Sequence, residues 1–246
     1  MIRFTSTALL VAALLGLATT SAGALNLFKP GGVKGTVGGC GDGFTENLAY
    51  DQPAPTVPES LTAHSKTMCK MVIEIVPERV YLAWGYALAS PTLVVGDDGL
   101  ILIDPPDSVE ATQIAWADLL AAANTDKPVA AVIYTHSHPD HFPGVRAIVD
   151  EKDVTAGKVQ IIAQETFMAN IAEQNSVIGP ILGARSAFFA GDPILPVGPE
   201  GRINGGLGPL FFGGTLTLIP PTLTIPSQGQ KTLEMPSGWK ETTRSL

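Results

Sequence analysis

Three of the chain's four histidines fall within six residues, at His136, His138 and His141, directly behind an apolar run over residues 129–134 (VAAVIY). A short run with no polar face, rich in β-branched side chains, reads as a strand buried on both sides. Leaving that strand straight into Thr135-His136-Ser137-His138-Pro139-Asp140-His141 places these polar side chains on the rim of a sheet, where a small molecule can reach them. Residues two apart in an extended or turning loop point the same way, so His136 and His138 can grip one ion together. Asp140 and His141 then face a second position beside it. Imidazole nitrogen and carboxylate oxygen suit zinc, manganese or iron, and a catalytic zinc takes about three protein ligands plus water. A polar loop making ordinary hydrogen bonds is the alternative, and the density of ligand-type residues argues for metal.

The surrounding pattern predicts strands at residues 71–76, 80–84, 92–95 and 100–104, with Gly96-Asp97-Asp98-Gly99 as a hairpin turn. A helix follows. Asp107 or Ser108 caps it, Glu110 sits in its first turn, and Ile114, Ala117 and Leu120 line one face. After the histidine loop come a short helix at 144–150, a strand at 159–163 and a helix at 165–175. A loop-rich run over 190–212 follows, then strands at 215–219 and 223–225. Strands first and helix–strand alternation afterwards argue for an α+β arrangement of sheets covered by helices.

Ahead of all this, residues 1–24 have the form of a cleaved signal peptide: Arg3, an apolar core over 8–18, and Ala22-Gly23-Ala24 as the cleavage pattern. An apolar stretch that short cannot span a bilayer, which takes about 20 residues. The expectation is an exported protein, periplasmic or secreted, without a membrane anchor. Residues 25–69 read as a Gly/Pro-rich arm, and 70–246 as the domain. The formal charge of −8 argues against nucleic acid or an anionic membrane as partner, since both are held through positive patches. Cys40 and Cys69 could pair in an oxidising compartment or remain two buried thiols, and spacing does not decide between them. They form no CxxC unit, which disfavours redox chemistry.

His-x-His-x-Asp-His at a strand end resembles the signature of the metallo-β-lactamase superfamily. Leu102-Ile103-Asp104 matches that family's first acidic position, which implies that Asp104 props the metal loop from behind; a plain turn or cap residue is the other reading. The stretches KPVAAVIYTHSHPDHFPGVRAIVDE, DVTAGKVQIIAQETFM, GLGPLFFGGTLTLIPPT and VYLAWGYALASPTLVVGDDGLILIDP resemble the alkyl sulfatase branch in particular. The resemblance implies an αββα sandwich that is C-terminally incomplete, and two zinc ions held by His136, His138, Asp140 and His141. It further implies a small-molecule substrate such as a long-chain alkyl sulfate, hydrolysed by metal-activated hydroxide. Asp140 would then belong to the catalytic centre, and Arg185 is the candidate cradle for the sulfate, or else a solvated helix-surface residue. Phe188, Phe189, Phe211 and Phe212 could line an alkyl-chain tunnel or simply fill core.

Relatives of this type complete the site with acidic residues and a further His downstream, whereas no His follows His141 here. The helical dimerisation region and the sterol-carrier-like domain of alkyl sulfatases also find no counterpart. Phe188-Phe189-Ala190-Gly191 stands where the branch has a Tyr-rich turn. The leading expectation is therefore a zinc hydrolase of the alkyl sulfatase type, either truncated or completed by another chain, with an oligomer as a further possible partner. The alternatives are an inactive exported fragment that keeps the metal-binding loop, and a lactone or β-lactam hydrolase of another branch.

Overall fold

The computed structural model describes residues 55–65, 68, 70–191, 194–209, 214–227, 231–232 and 242–243. The apolar run becomes strand β5, Val129–Ile133, in a seven-stranded sheet whose spatial order is also its chain order. The first four strands are β1 Met71–Val76, β2 Val80–Trp84, β3 Thr92–Val95 and β4 Leu100–Ile103. They pair antiparallel. From β4 onward the pairing is parallel, through β5 to β6 Gln160–Gln164 and β7 Leu223–Ile225.

Parallel neighbours require crossovers. After a short helix α1, Glu59–Ser65, the long helix α2, Val109–Ala123, carries the chain from β4 to β5. A single 3-10 turn, Val145–Ala147, and helix α3, Glu151–Thr155, lie between β5 and β6. Helices α4, Phe167–Ser176, and α5, Gly179–Ala190, precede β7. A two-stranded ladder of β8 Lys231–Thr232 and β9 Thr242–Thr243 stands apart from the sheet.

The central strands alternate strictly. Leu100 and Leu102 on β4 join Leu93, Val95, Ala115 and Leu119 in one buried cluster beneath α2. Val132, Tyr134, Ile161 and Ala163 join Phe142, Val145, Val154 and Phe167 in a second. The intervening residues Ile101, Ala131 and Ile162 are buried on the opposite face, with Ile103 and Ile133 packed against them. Both faces of β4 to β6 are apolar, which is why the sequence shows runs there instead of alternation. This is the sheet and the helical layer expected of half an αββα sandwich.

Three local expectations need correction, and one helix was not expected. Helix α2 buries Ala111, Thr112, Ala115 and Leu119, while Ile114 is 42% exposed and Ala117 lies outside as well. Six alanines spread around the helix make it apolar on several sides, so periodicity does not select the face that Ala111, Ala115 and Leu119 bury. The helix expected at 144–150 splits into the 3-10 turn and α3, because Asp150 caps a new start by accepting from the Lys152 N–H at 3.0 Å. Residues 215–219 join no ladder among the described residues. Their bonds go instead to the start of α2 and to the histidine loop, with Thr215 accepting from Val109 N and Thr217 donating to Pro143 O. Helix α5, finally, is not signalled by periodicity. Its Pro180 stands in the first turn, where no N–H is needed. The signal segment, Cys40 and Cys69 lie outside the described residues.

Candidate metal centre

In a parallel sheet the C-terminal ends of neighbouring strands open on one edge, where loops can meet. Asp104 follows β4 and Thr135 follows β5, and the register pairs Ile103 with Ile133 just before them. Asp104 N donates to Ile133 O at 2.9 Å, the last bond of the ladder. The chain then turns sharply, with Asp104 in the left-handed region at φ 55. That turn aims its carboxylate across at the next strand's loop. Asp tolerates this conformation better than most side chains.

The Asp104 carboxylate holds the loop at three points. Oδ1 accepts from Thr135 N at 2.8 Å, and Oδ2 accepts from Thr135 Oγ1 at 2.7 Å. Oδ2 also meets His141 Nδ1 at 3.0 Å. Thr135 Oγ1 in turn stands 3.0 Å from His136 Nδ1. The three imidazoles cluster, with ring centres of His136 and His138 4.6 Å apart and those of His136 and His141 4.0 Å apart. Asp140 Oδ2 lies 3.2 Å from His141 Nε2. Ser137, between the paired histidines, points the other way and is buried, where Gln174 Nε2 of α4 donates to its hydroxyl at 2.7 Å.

Both ends of the loop are pinned. Tyr134, Phe142 and Phe167 form an aromatic trio, with ring centres 5.1 to 6.0 Å apart. Tyr134 also donates its hydroxyl to Ile219 O at 3.1 Å. Beyond Phe142, Gly144 N donates to Pro106 O at 2.8 Å. A Cβ at Gly144 would overlap Thr112 Oγ1 and stand 2.6 Å from Ser108 O. Glycine is required there by the close approach of the loop's exit to the start of α2.

The electrostatics follow from this packing. Burial works against charge on His141, but the hydrogen bonds of Asp104 and Asp140 outweigh it and push the imidazole up to about 9. Burial likewise favours the neutral acid at Asp140, yet its bond to His141 leaves the carboxyl below its ordinary range. Burial, and then the neighbouring His141 and His138, hold His136 below the usual histidine value. Both ring nitrogens of His141 thus face carboxylate oxygens, Nδ1 that of Asp104 at 3.0 Å and Nε2 that of Asp140 at 3.2 Å.

A divalent cation suits that place. Two ligands about 2.0–2.1 Å from a tetrahedral zinc stand roughly 3.3 Å apart, close to the separation of Asp140 Oδ2 from His141 Nε2. Among the described residues, no three His, Cys, Asp or Glu side chains are already spread around one point as the ligands of a single ion would be. The donor set fits in its chemistry: three imidazoles and a carboxylate at one rim, and a second carboxylate, Asp104, engaging one ring nitrogen from behind.

Residues 86–229 match the family described as the metallo-beta-lactamase superfamily. The chain belongs to that superfamily. It is 41% identical over 155 residues to a linear primary-alkylsulfatase of Pseudomonas sp., covering 63% of this chain and 23% of that protein. It is 35% identical over 178 residues to the alkyl/aryl-sulfatase BDS1 of Saccharomyces cerevisiae, covering 72% and 27%. Among solved structures, the stereoselective inverting sec-alkylsulfatase Pisa1 from Pseudomonas sp. superposes with a TM-score of 0.61 at 28% identity, over 79% of this chain and 30% of that one. The chain thus spans about a quarter of the length of the curated relatives it matches.

For this superfamily member the structure brings Asp104, His136, His138, Asp140 and His141 to one rim. Arg185 stands exposed on α5, and no hydrogen bond or ion pair joins it to the histidine loop among the described residues. Phe188 is 93% exposed, so it fills neither a core nor a tunnel here. The side chain of Phe189, and Phe211 and Phe212 altogether, lie outside the described residues. Sequence reasoning missed the roles of Thr135, Ser137 and Gln174. Thr135 and Ser137 sit inside the motif, whereas nothing local marks Gln174.

Proposed function

We propose that this chain forms the metal-holding part of a zinc-dependent hydrolase of sulfate esters, with long-chain alkyl sulfates as its substrate class. One observation carries the reading: the clustered His136, His138, Asp140 and His141 lie on the open edge of the parallel strands, inside the region that is 35–41% identical to alkylsulfatases. His136 and His138 would serve one metal position, and Asp140 and His141 the other. Asp104 holds the loop so that these donors stay at the rim. Two zinc ions, when bound, supply hydroxide near neutral pH and neutralise charge on the departing sulfate. Arg185, exposed on α5, is the candidate partner for the sulfate oxygens. Export to the periplasm or medium, and completion of the site by an oligomer or a second chain, belong to the same proposal.

A specific observation favours a second reading. His136 and His138 provide two donors where a catalytic zinc takes about three, and among the described residues no three His, Cys, Asp or Glu side chains are grouped to hold one ion. The chain would then retain a metal-binding loop without turnover. Zinc content after dialysis, measured beside sulfate release from dodecyl sulfate, separates the two. About two zinc ions per chain with sulfate release supports the hydrolase. Substoichiometric zinc and no release supports the inactive form, and turnover of a lactone or β-lactam alone moves the chain to another branch. His138→Ala should abolish tight zinc binding, and unchanged stoichiometry would overturn the ligand assignment.

A further inference from the structure

The Asp104 carboxylate makes an unusual contact through the Thr135 hydroxyl. A threonine hydroxyl has one proton to donate and lone pairs to accept with, whereas an ionised carboxylate only accepts. At 2.7 Å from Asp104 Oδ2, Thr135 Oγ1 must be the donor, and its single proton is spent there. The same oxygen lies 3.0 Å from His136 Nδ1. With no proton left to give, it can only accept, so the proton of that bond is carried by His136 Nδ1. The backbone N–H of Thr135 donates to the other carboxylate oxygen at 2.8 Å, which fixes its Cα against Asp104, and the β-branched side chain has few χ1 rotamers to choose from. The carboxylate and Thr135 therefore form a two-point clamp that fixes the hydroxyl in space.

We propose that Thr135 is a positioning residue: its hydroxyl relays the Asp104 carboxylate to His136 and holds that imidazole in the Nδ1–H tautomer, leaving the Nε2 lone pair for a metal. Asp104 then orders two histidines from one oxygen, His141 directly at 3.0 Å and His136 through the hydroxyl. Without the relay, neutral imidazole generally prefers its proton on Nε2, the nitrogen that must be bare to ligate. Partners that fix a ligating histidine's tautomer typically change metal affinity by about 10- to 100-fold. The tautomer belongs to the metal-free chain, and only its consequence for affinity rests on the zinc-site reading above.

The test is long-range proton–nitrogen correlation NMR on the chelator-treated chain, labelled with nitrogen-15 at histidine, together with zinc titration against a competing chelator. Wild type and Thr135→Ser should show His136 protonated on Nδ1 and bind zinc alike. Thr135→Val keeps the shape and the backbone bond but lacks the hydroxyl. It should move His136 toward the Nε2–H form and weaken zinc binding about tenfold. An Nε2–H His136 in wild type overturns the proposal, as does an unshifted tautomer in Thr135→Val. Should the valine variant fail to fold, the wild-type and serine spectra still decide. An Nδ1–H His136 in a chain that takes up no zinc would support the relay while refuting the zinc-site reading.

Discussion

Replacing Asp104 by alanine removes three hydrogen bonds at once: from Thr135 N, from Thr135 Oγ1 and from His141 Nδ1. Hydrogen bonds to a charged group contribute about 1.5–3 kcal/mol each. They do not add fully here, since all three share one carboxylate. The side chain is 13% exposed and His141 20%, so solvent can replace only part of what is lost. The closer comparison is a buried charge pair with one partner deleted, which costs about 3–5 kcal/mol. Alanine also sits poorly at φ 55, which adds to the cost.

Asp104→Asn separates these effects. Asparagine accepts the left-handed conformation and can still accept from Thr135 N, but its amide group cannot accept from both Thr135 Oγ1 and His141 Nδ1. It should lose roughly half as much, about 2 kcal/mol. Urea unfolding with excess chelator present is the assay, because bound metal would add its own stabilisation. A loss below about 1 kcal/mol for Asp104→Ala would mean that the carboxylate does not hold the loop. Equal losses for alanine and asparagine would put the cost in charge alone and leave the backbone conformation out of it.

Gly144→Ala should destabilise by about 2–3 kcal/mol or more, because the new methyl meets Ser108 O as well as Thr112 Oγ1 and shortening Thr112 alone cannot relieve it; a neutral result in urea unfolding would refute the close approach. Gln174→Ala removes the bond to the buried Ser137 hydroxyl and should cost about 1 kcal/mol. The telling measurement is faster amide exchange confined to the histidine loop. In the metal-free chain, His141 is raised to about 9, so its stabilisation is complete below the unfolded value of 6.5 and is lost as pH climbs through about 9. Unfolding free energy should therefore fall over that window by at most about 3 kcal/mol, and the fall should vanish in His141→Gln. A flat profile would show that the two carboxylates do not hold a proton on this ring.

The elements that could be read from the chain itself are those whose evidence is local. Period-two and apolar runs located β1 to β6 within a residue or so, because a strand's pattern is complete in five or six positions. The cap at Ser108 was equally local, its side chain accepting from Ala111 N at 3.1 Å. The histidine loop was legible because ligand-type residues at such density lie within six positions of one another. Local pattern failed where it was degenerate. Alanine-rich α2 offered no face to choose, and the alternation at 215–219 looked like a strand although it joins no ladder among the described residues.

What the tertiary structure decided is every contact between residues distant in the chain. Asp104 reaches His141 across 37 positions because β4 and β5 run parallel and end at one edge. Ser137 meets Gln174, also 37 positions away, because the residue between two same-side histidines must point backwards, onto α4. Thr215 docks on Glu110 over 105 positions, both its N–H and its hydroxyl donating to that carboxylate at 2.8 Å. Sequence alone thus determined which side chains could carry chemistry and on which edge they stand. The hydrogen bonds that reach the rings of His136 and His141 from Thr135 and Asp104 join neighbouring strand ends, and they exist only once the sheet has brought those ends together.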